Sequence, residues 1–127
     1  MFPAKFKIIK GLVFRNNKPA IVGVKILEGR LRKNVNVMNK EGKIIGRVIG
    51  IQEDKESVDQ ADRDDEVAVS IEDANVGRNV VEEESLYTAL SANQIQRLKE
   101  LQEKGGDLSR QELELLEEIE KMQGIEE

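Results

Sequence analysis

The chain has no cysteine, no histidine and no tryptophan among its 127 residues, and only three phenylalanines and one tyrosine. Without Cys there is no disulfide, no thiolate metal site and no thiol redox chemistry. Without His the commonest general base and the commonest zinc ligand are both missing. Aromatic residues at 3% are too few for a base-stacking platform, and most of Phe2, Phe6, Phe14 and Tyr87 are expected to serve the core. That core must be built from Val, Ile and Leu. No apolar run approaches the roughly 20 residues of a membrane span, and the N-terminus has no signal-peptide hydrophobic region. A soluble, cytoplasmic chain without a membrane partner is expected, and nothing in the sequence demands more than a monomer.

Catalytic constellations are equally scarce. No Gly-rich loop joins a strand to a helix in the way that cradles a nucleotide phosphate, because Gly105-Gly106 follows a helix. Serines have no His to activate them. Asp59, Asp62, Asp64, Asp65 and Glu66 form an acidic cluster, but it lacks the spacing and glycine of an EF-hand loop and reads as a solvated loop. No catalytic residue, metal site or cofactor is expected in this chain.

What is present is charge, and it is segregated. The net charge is −5. Residues 1–47 carry twelve Lys/Arg against two Asp/Glu, residues 48–90 three against thirteen, and residues 91–127 five against ten. Either the two halves pair across a sheet and neutralise each other, or the first half makes a basic face and the overall balance misleads about partners. On the second reading Arg15, Asn16, Asn17, Lys18, Arg30, Arg32, Lys33 and Arg47 would contact phosphates and sugars.

The periodicity divides the chain in two. Over residues 1–90, Phe6 and Ile8 alternate with Lys5 and Lys7, and Ile21–Leu27 forms a second strand ended by Glu28-Gly29. Val35 and Val37 share a face, and Asn39–Gly42 is a turn leading into Ile44–Ile51. Val67, Val69 and Ile71 alternate within 66–73, and Leu86-Tyr87 closes the region. Short strands between turn signals, with Gly23, Gly46 and Gly50 inside them, predict a small β-barrel. Residues 91–127 carry two capping boxes with hydrophobic staples, Leu90-Ser91-Ala92-Asn93-Gln94-Ile95 and Leu108-Ser109-Arg110-Gln111-Glu112-Leu113. They predict helices over 92–104 and 110–123, joined as an αα-hairpin, with apolar stripes Ile95, Leu98, Leu101 and Leu113, Leu116, Ile119, Met122. These stripes pack on each other and the barrel, or part of the surface stays open to a partner.

The segment Val13-Phe14-Arg15-Asn16-Asn17-Lys18-Pro19-Ala20-Ile21-Val22-Gly23-Val24 stands out, a cationic turn pinned by proline that opens into an apolar strand. Val13-Phe14-Arg15 with Lys18–Val24, then Gly46-Arg47-Val48, Ile51-Gln52, Glu56-Ser57-Val58, Asp65–Glu72, Gly77-Arg78, Leu86-Tyr87 and the final Gly124-Ile125-Glu126 occur in an order that resembles the C-terminal domain of archaeal and eukaryotic translation initiation factor 5B, the counterpart of bacterial initiation factor two. The resemblance covers nearly the whole chain and lies closer to archaeal members. It implies a closed barrel similar to domain II of elongation factor Tu followed by two helices, and a parent GTPase whose GTP and magnesium sites lie in domains absent here. It further implies recognition of the methionylated acceptor end of initiator tRNA on the ribosome, in support of subunit joining. Arg15, Lys18, Pro19, Arg47 and Arg78 match the family wording and inherit a tRNA-facing role, with Asn16 and Asn17 between them.

In eukaryotic members the two helices receive the acidic tail of initiation factor 1A. The corresponding surface here would comprise Leu108, Leu113, Leu115, Leu116, Ile119 and Met122. The second helix carries Glu112, Glu114, Glu117, Glu118 and Glu120, so an acidic tail would meet like charge. A module that docks factor 1A or a ribosomal protein through these helices is the alternative function.

Overall fold

The computed structural model describes residues 2–124. Eight strands are followed by two helices: β1 (Ala4–Arg15), β2 (Ala20–Arg32), β3 (Val35–Asn39), β4 (Ile44–Glu53), β5 (Glu56–Ser57), β6 (Gln60–Asp62), β7 (Glu66–Glu72), β8 (Ser85–Ala89), α1 (Ala92–Glu103) and α2 (Arg110–Met122). The order β1-β8-β3-β4-β7-β2 closes on itself through a β1–β2 pairing, so six antiparallel strands form a barrel with no free edge. The short β5 pairs with β4, and β6 with the far end of β2. The expected barrel followed by two helices is what the chain forms. The final Ile125-Glu126 of the family wording lies outside the described residues.

The barrel interior is aliphatic, as the shortage of rings requires. Phe6, Ile8, Val22, Val24, Ile26, Val37, Val48, Ile51, Val69, Ile71 and Leu86 are all essentially inaccessible and form one cluster. Alternation holds strictly in β7, where Val67, Val69 and Ile71 face in. In β4 the interior residues are Ile45, Val48 and Ile51, because two register shifts, one against β3 at Ile45 and one against β7 between Val48 and Gly50, interrupt the period of two.

Two strands are longer than the sequence pattern indicated. Glu28-Gly29 does not end β2. Gly29 sits at φ +81°, and a Cβ there would lie 2.0 Å from the Pro3 carbonyl oxygen. Gly29 stays in register opposite Ala4, the bulge against β1 falls at Leu27, and β2 continues to Arg32, where it meets β6. Likewise β1 runs on to Arg15. Between the pairs Ile8↔Val24 and Val13↔Val22, β1 advances five residues while β2 moves two, so the segment Ile9–Leu12 bulges outward, with Gly11 at φ +83°.

Both capping boxes form. Ser91 Oγ accepts from the Gln94 N–H and Ser109 Oγ from the Glu112 N–H, each at 3.1 Å, while the side chains of Gln94 and Glu112 accept from the two serine N–H groups. Each cap contributes about 1 kcal/mol. The helices end one residue before the predicted limits, at Lys104 and Gln123 as C-caps. Leu115 and Ile119 of α2 pack on Met38 and Tyr87 of the barrel wall, and Leu116 joins Leu90, Ile95, Leu98 and Leu108. The Gln123 side-chain amide is hydrogen-bonded to both backbone groups of Leu90, tying the end of α2 to the start of α1. Leu101 departs from its expected stripe and is exposed.

Candidate nucleic-acid interface

The β1–β2 connection is a four-residue tip, Asn16–Pro19. Arg15 Nε donates to the Asn17 carbonyl at 2.9 Å, Lys18 adopts φ +59°, and the Lys18–Pro19 bond is cis. The Val76 N–H donates to the Asn16 carbonyl at 2.9 Å and so docks the following loop against the tip. That loop is braced by Asn79, whose Oδ1 accepts from the Asn75 N–H at 2.7 Å and whose Nδ2 donates to the Ile45 and Asp73 carbonyls. Arg78 projects from it, exposed. The structure therefore brings Arg15, Asn16, Asn17, Lys18, Pro19 and Arg78 to one end of the barrel. A small groove there is lined by Asn17, Lys18, Pro19, Ile49 and the 72–75 segment.

Arg47 opens elsewhere. Its neighbours across the sheet are Asn36 of β3 and Glu72 of β7. It lines a groove of about 450 Å³ with Arg32, Lys33, Asn34 and Asn36.

Cations of the first half pair little with the acidic half. Among the described residues, only Arg30 and Lys33 of the basic segment form ion pairs. Lys33 Nζ lies 3.0 Å from Asp59, whose carboxyl it holds below its usual range. Arg30 is a correction to the list of phosphate contacts. Its guanidinium donates to Glu112 Oε2 at 2.8 Å, to Glu112 Oε1 at 3.0 Å and to Asp107 at 3.2 Å, and stacks 4.3 Å from the Phe2 ring. The Glu112 hydrogen bonds raise its pKa, and a guanidinium so enclosed clamps α2 to β2 instead of meeting solvent anions. Burial pushes the Glu112 carboxyl up, but the bonds from Arg30 and Ser109 outweigh it and leave the pKa lowered.

The proposed helix surface is likewise covered from within. Leu108, Leu115, Leu116 and Ile119 are buried, and Leu113 and Met122 half-buried, in clusters shared with Phe2, Met38 and Tyr87. An amphipathic helix beside a barrel wall buries its stripe on that wall. Tyr87, under α2, has its hydroxyl 3.1 Å from Glu118, and burial with that carboxylate pushes its pKa up to about 12.

The sequence reading missed one feature, an open apolar groove of about 490 Å³ along β1 and β2. It is lined by Ile9, Leu12, Phe14, Ile21 and Gly23, with Gln52, Asp54, Lys55 and Glu66 on its far side. Phe14 is 64% exposed, contrary to a core role, since Val13 takes the inward position and Phe14 the outward one. The bulge at Ile9–Leu12 lays Leu12 across Gly23, where a Cβ would strike the Leu12 side chain at 2.8 Å. The available signal was that glycine: a strand Gly marks a close approach, but not which side chain makes it.

Comparison with known proteins agrees with the barrel. Residues 2–87 match the family model described as elongation factor Tu domain 4. The chain is 47% identical over 85 residues to a probable translation initiation factor IF-2 of Methanosarcina mazei, covering 67% of this chain and 14% of that protein. It is 46% identical over 101 residues to the same-named protein of Sulfolobus acidocaldarius, covering 79% and 17%. The crystal structure of GDP-bound aIF5B from Aeropyrum pernix superposes with a TM-score of 0.90 at 36% identity, over 98% of this chain and 21% of that one. The chain thus spans only a small fraction of the length of these relatives. An antiparallel six-stranded barrel with two trailing helices, matched in sequence and in structure, places the chain in the elongation factor Tu domain 4 family, as the C-terminal domain IV of an archaeal-type IF-2/5B translation initiation factor.

Proposed function

We propose that this domain binds the methionylated acceptor end of initiator tRNA and so helps hold that tRNA on the ribosome during subunit joining. The observation that carries this reading is the juxtaposition of an exposed phenylalanine in an apolar groove with a cationic tip on the next residues of the same strand. An aminoacylated 3′ end has matching parts. Its terminal base and apolar methionyl side chain suit Phe14, Leu12 and Ile9. Its α-ammonium suits Asp54 and Glu66 at the groove's far side. Its phosphates suit Arg15, Lys18 and Arg78, with the Asn16 and Asn17 amides as sugar partners. One ring cannot make a stacking platform, but base–aromatic stacking is worth about 1–3 kcal/mol per base. On this reading the chain is non-catalytic, and GTP chemistry belongs to other domains of a longer factor. The apolar residues of the helices favour no second reading, since a partner tail would have to displace the barrel from them.

The test is a titration of the chain with methionylated and deacylated initiator tRNA. The methionylated form is expected to bind more tightly, and Phe14→Ala to weaken it by about tenfold while nearly abolishing the difference between the two forms. Equal wild-type affinity for both forms overturns the aminoacyl reading.

A further inference from the structure

The groove that holds Arg47 is separate from the tip and differs from it in charge. It is lined by Arg32, Lys33, Asn34, Asn36, Arg47 and Gln94 over an apolar floor of Val35, Ala89 and Leu90, with no carboxylate. Three other grooves on the surface each carry at least two: Glu28, Asp62 and Glu112 in one between β2 and α2, Asp54 and Glu66 in the apolar groove, Glu72 and Asp73 in the one at the tip. In a chain of net charge −5, this groove gathers three cations and three amides with no carboxylate in its lining.

Local structure fixes that arrangement. Val35 and Val37 point to the barrel interior, so Asn36 points out; Val48 points in, so Arg47 points out, and these two outward residues are paired across β3 and β4. Cross-strand partners hold their Cβ atoms about 5 Å apart. Asn34, in the β2–β3 connection at φ +65°, donates its N–H to the Val48 carbonyl at 2.7 Å and sets its Oδ1 3.5 Å from the Arg47 guanidinium. Two carboxylates lie nearby. Asp59 engages Lys33, and Glu72 is Arg47's neighbour on β7 without forming an ion pair to it. Arg32 and Arg47 are thus exposed and form no ion pair among the described residues. Arg47 is held toward Asn34, while Asp59 lies close enough to Arg32 to feel its charge. The first turn of α1, beside this groove at Gln94, holds no acidic residue, whereas that of α2 holds Glu112. The positive end of α1 therefore adds to the potential.

We propose that this groove binds the sugar–phosphate backbone of RNA, independently of the acceptor-end site and without reading bases. Arg32 and Arg47 are exposed, and among the described residues no buried polar side chain lines the groove to enclose a single phosphate. The arrangement suits a polyanion that lays successive phosphates along an open basic channel, with the amides within reach of riboses. The backbone comes either from the stem of the same tRNA or from ribosomal RNA.

The test uses the whole chain and two blunt-ended RNA hairpins without a single-stranded 3′ end, one with the initiator acceptor-stem sequence and one unrelated, titrated over a range of salt. Both are expected to bind with similar affinity. Arg32→Gln with Arg47→Gln should weaken both by about tenfold and reduce the slope of log affinity against log salt by roughly 2. Phe14→Ala should leave hairpin binding unchanged, so failure of the acceptor-end reading and failure of this one are told apart. If the backbone is the tRNA's own, the double variant weakens full-length tRNA in parallel. If it is ribosomal, tRNA affinity holds while affinity for ribosomal subunits falls. Unchanged hairpin affinity in the double variant overturns the proposal, as does loss of hairpin binding through Arg15→Gln with Lys18→Gln instead.

Discussion

Arg30 and Arg15 stand at opposite ends of the β1–β2 hairpin, in the same basic segment. Arg30 lies under α2, with its guanidinium hydrogen-bonded to two carboxylates and stacked on Phe2. Arg15 forms no ion pair among the described residues and donates only to the Asn17 carbonyl. The difference comes from what the rest of the chain places opposite each. Glu112 must sit at the N-terminus of α2, where it completes a capping box and suits the positive end of the helix dipole. Once α2 lies on the barrel, the nearest cation is neutralised. No acidic helix reaches the tip, so its cations stay open to a ligand. On the proposed reading, ligand binding falls to the cations that the fold leaves unpaired.

The strongest way to break this comparison is to remove Arg30. Arg30→Ala leaves Glu112 buried without its partner and should cost about 3 kcal/mol, read as a lowered melting temperature, with RNA binding retained. If instead Arg30→Ala leaves stability unchanged and removes RNA binding, the two arginines have been assigned in reverse. The same clamp carries a pH signature. The Glu112 carboxyl is lowered from its ordinary value of 4.5, so its contribution is complete above that value and is lost as pH falls through the folded one. Melting curves of wild type and Glu112→Gln should therefore differ most near neutral pH and converge in acid.

A smaller effect is expected inside the barrel. Thr88, fully buried and alternating with the outward Tyr87 and Ala89, has a hydroxyl with no hydrogen-bond partner. Glu112 is a buried polar group fully matched, and Thr88 is one left unmatched. Thr88→Val should stabilise the domain by about 1 kcal/mol in chemical denaturation. A comparable loss would mean that the hydroxyl has a partner such as an internal water. Smallest of all should be the stability effect of Arg15→Gln with Lys18→Gln, within about 0.5 kcal/mol. A cost above that would place these side chains with Arg30, as parts of the scaffold.

Much of the scaffold was legible because its signals are local. The capping boxes at Ser91 and Ser109 specify helix starts within four residues, and the alternation of Val67, Val69 and Ile71 specifies a strand face. Strand ends were harder. Gly29 reads as a terminator in sequence, yet it lies inside β2, because the Pro3 carbonyl, just before β1, occupies the space of a side chain and only glycine fits there. The exposure of Phe14 was hidden for the same kind of reason, since the extra residues at Ile9–Leu12 have a register only once β2 is beside them.

The sequence by itself determined the aliphatic core, the order of strands and helices, the segregation of charge and the family wording, because each depends on residues close together or on composition. Which cations remain available was decided by the tertiary structure alone. Arg15, Arg30 and Arg47 are alike as residues in one basic segment. They are separated by the acids of α2, the bulge over Gly23 and the pairing of β3 with β4, and electrostatic neutralisation acts through space, between groups as far apart in the chain as Arg30 and Glu112.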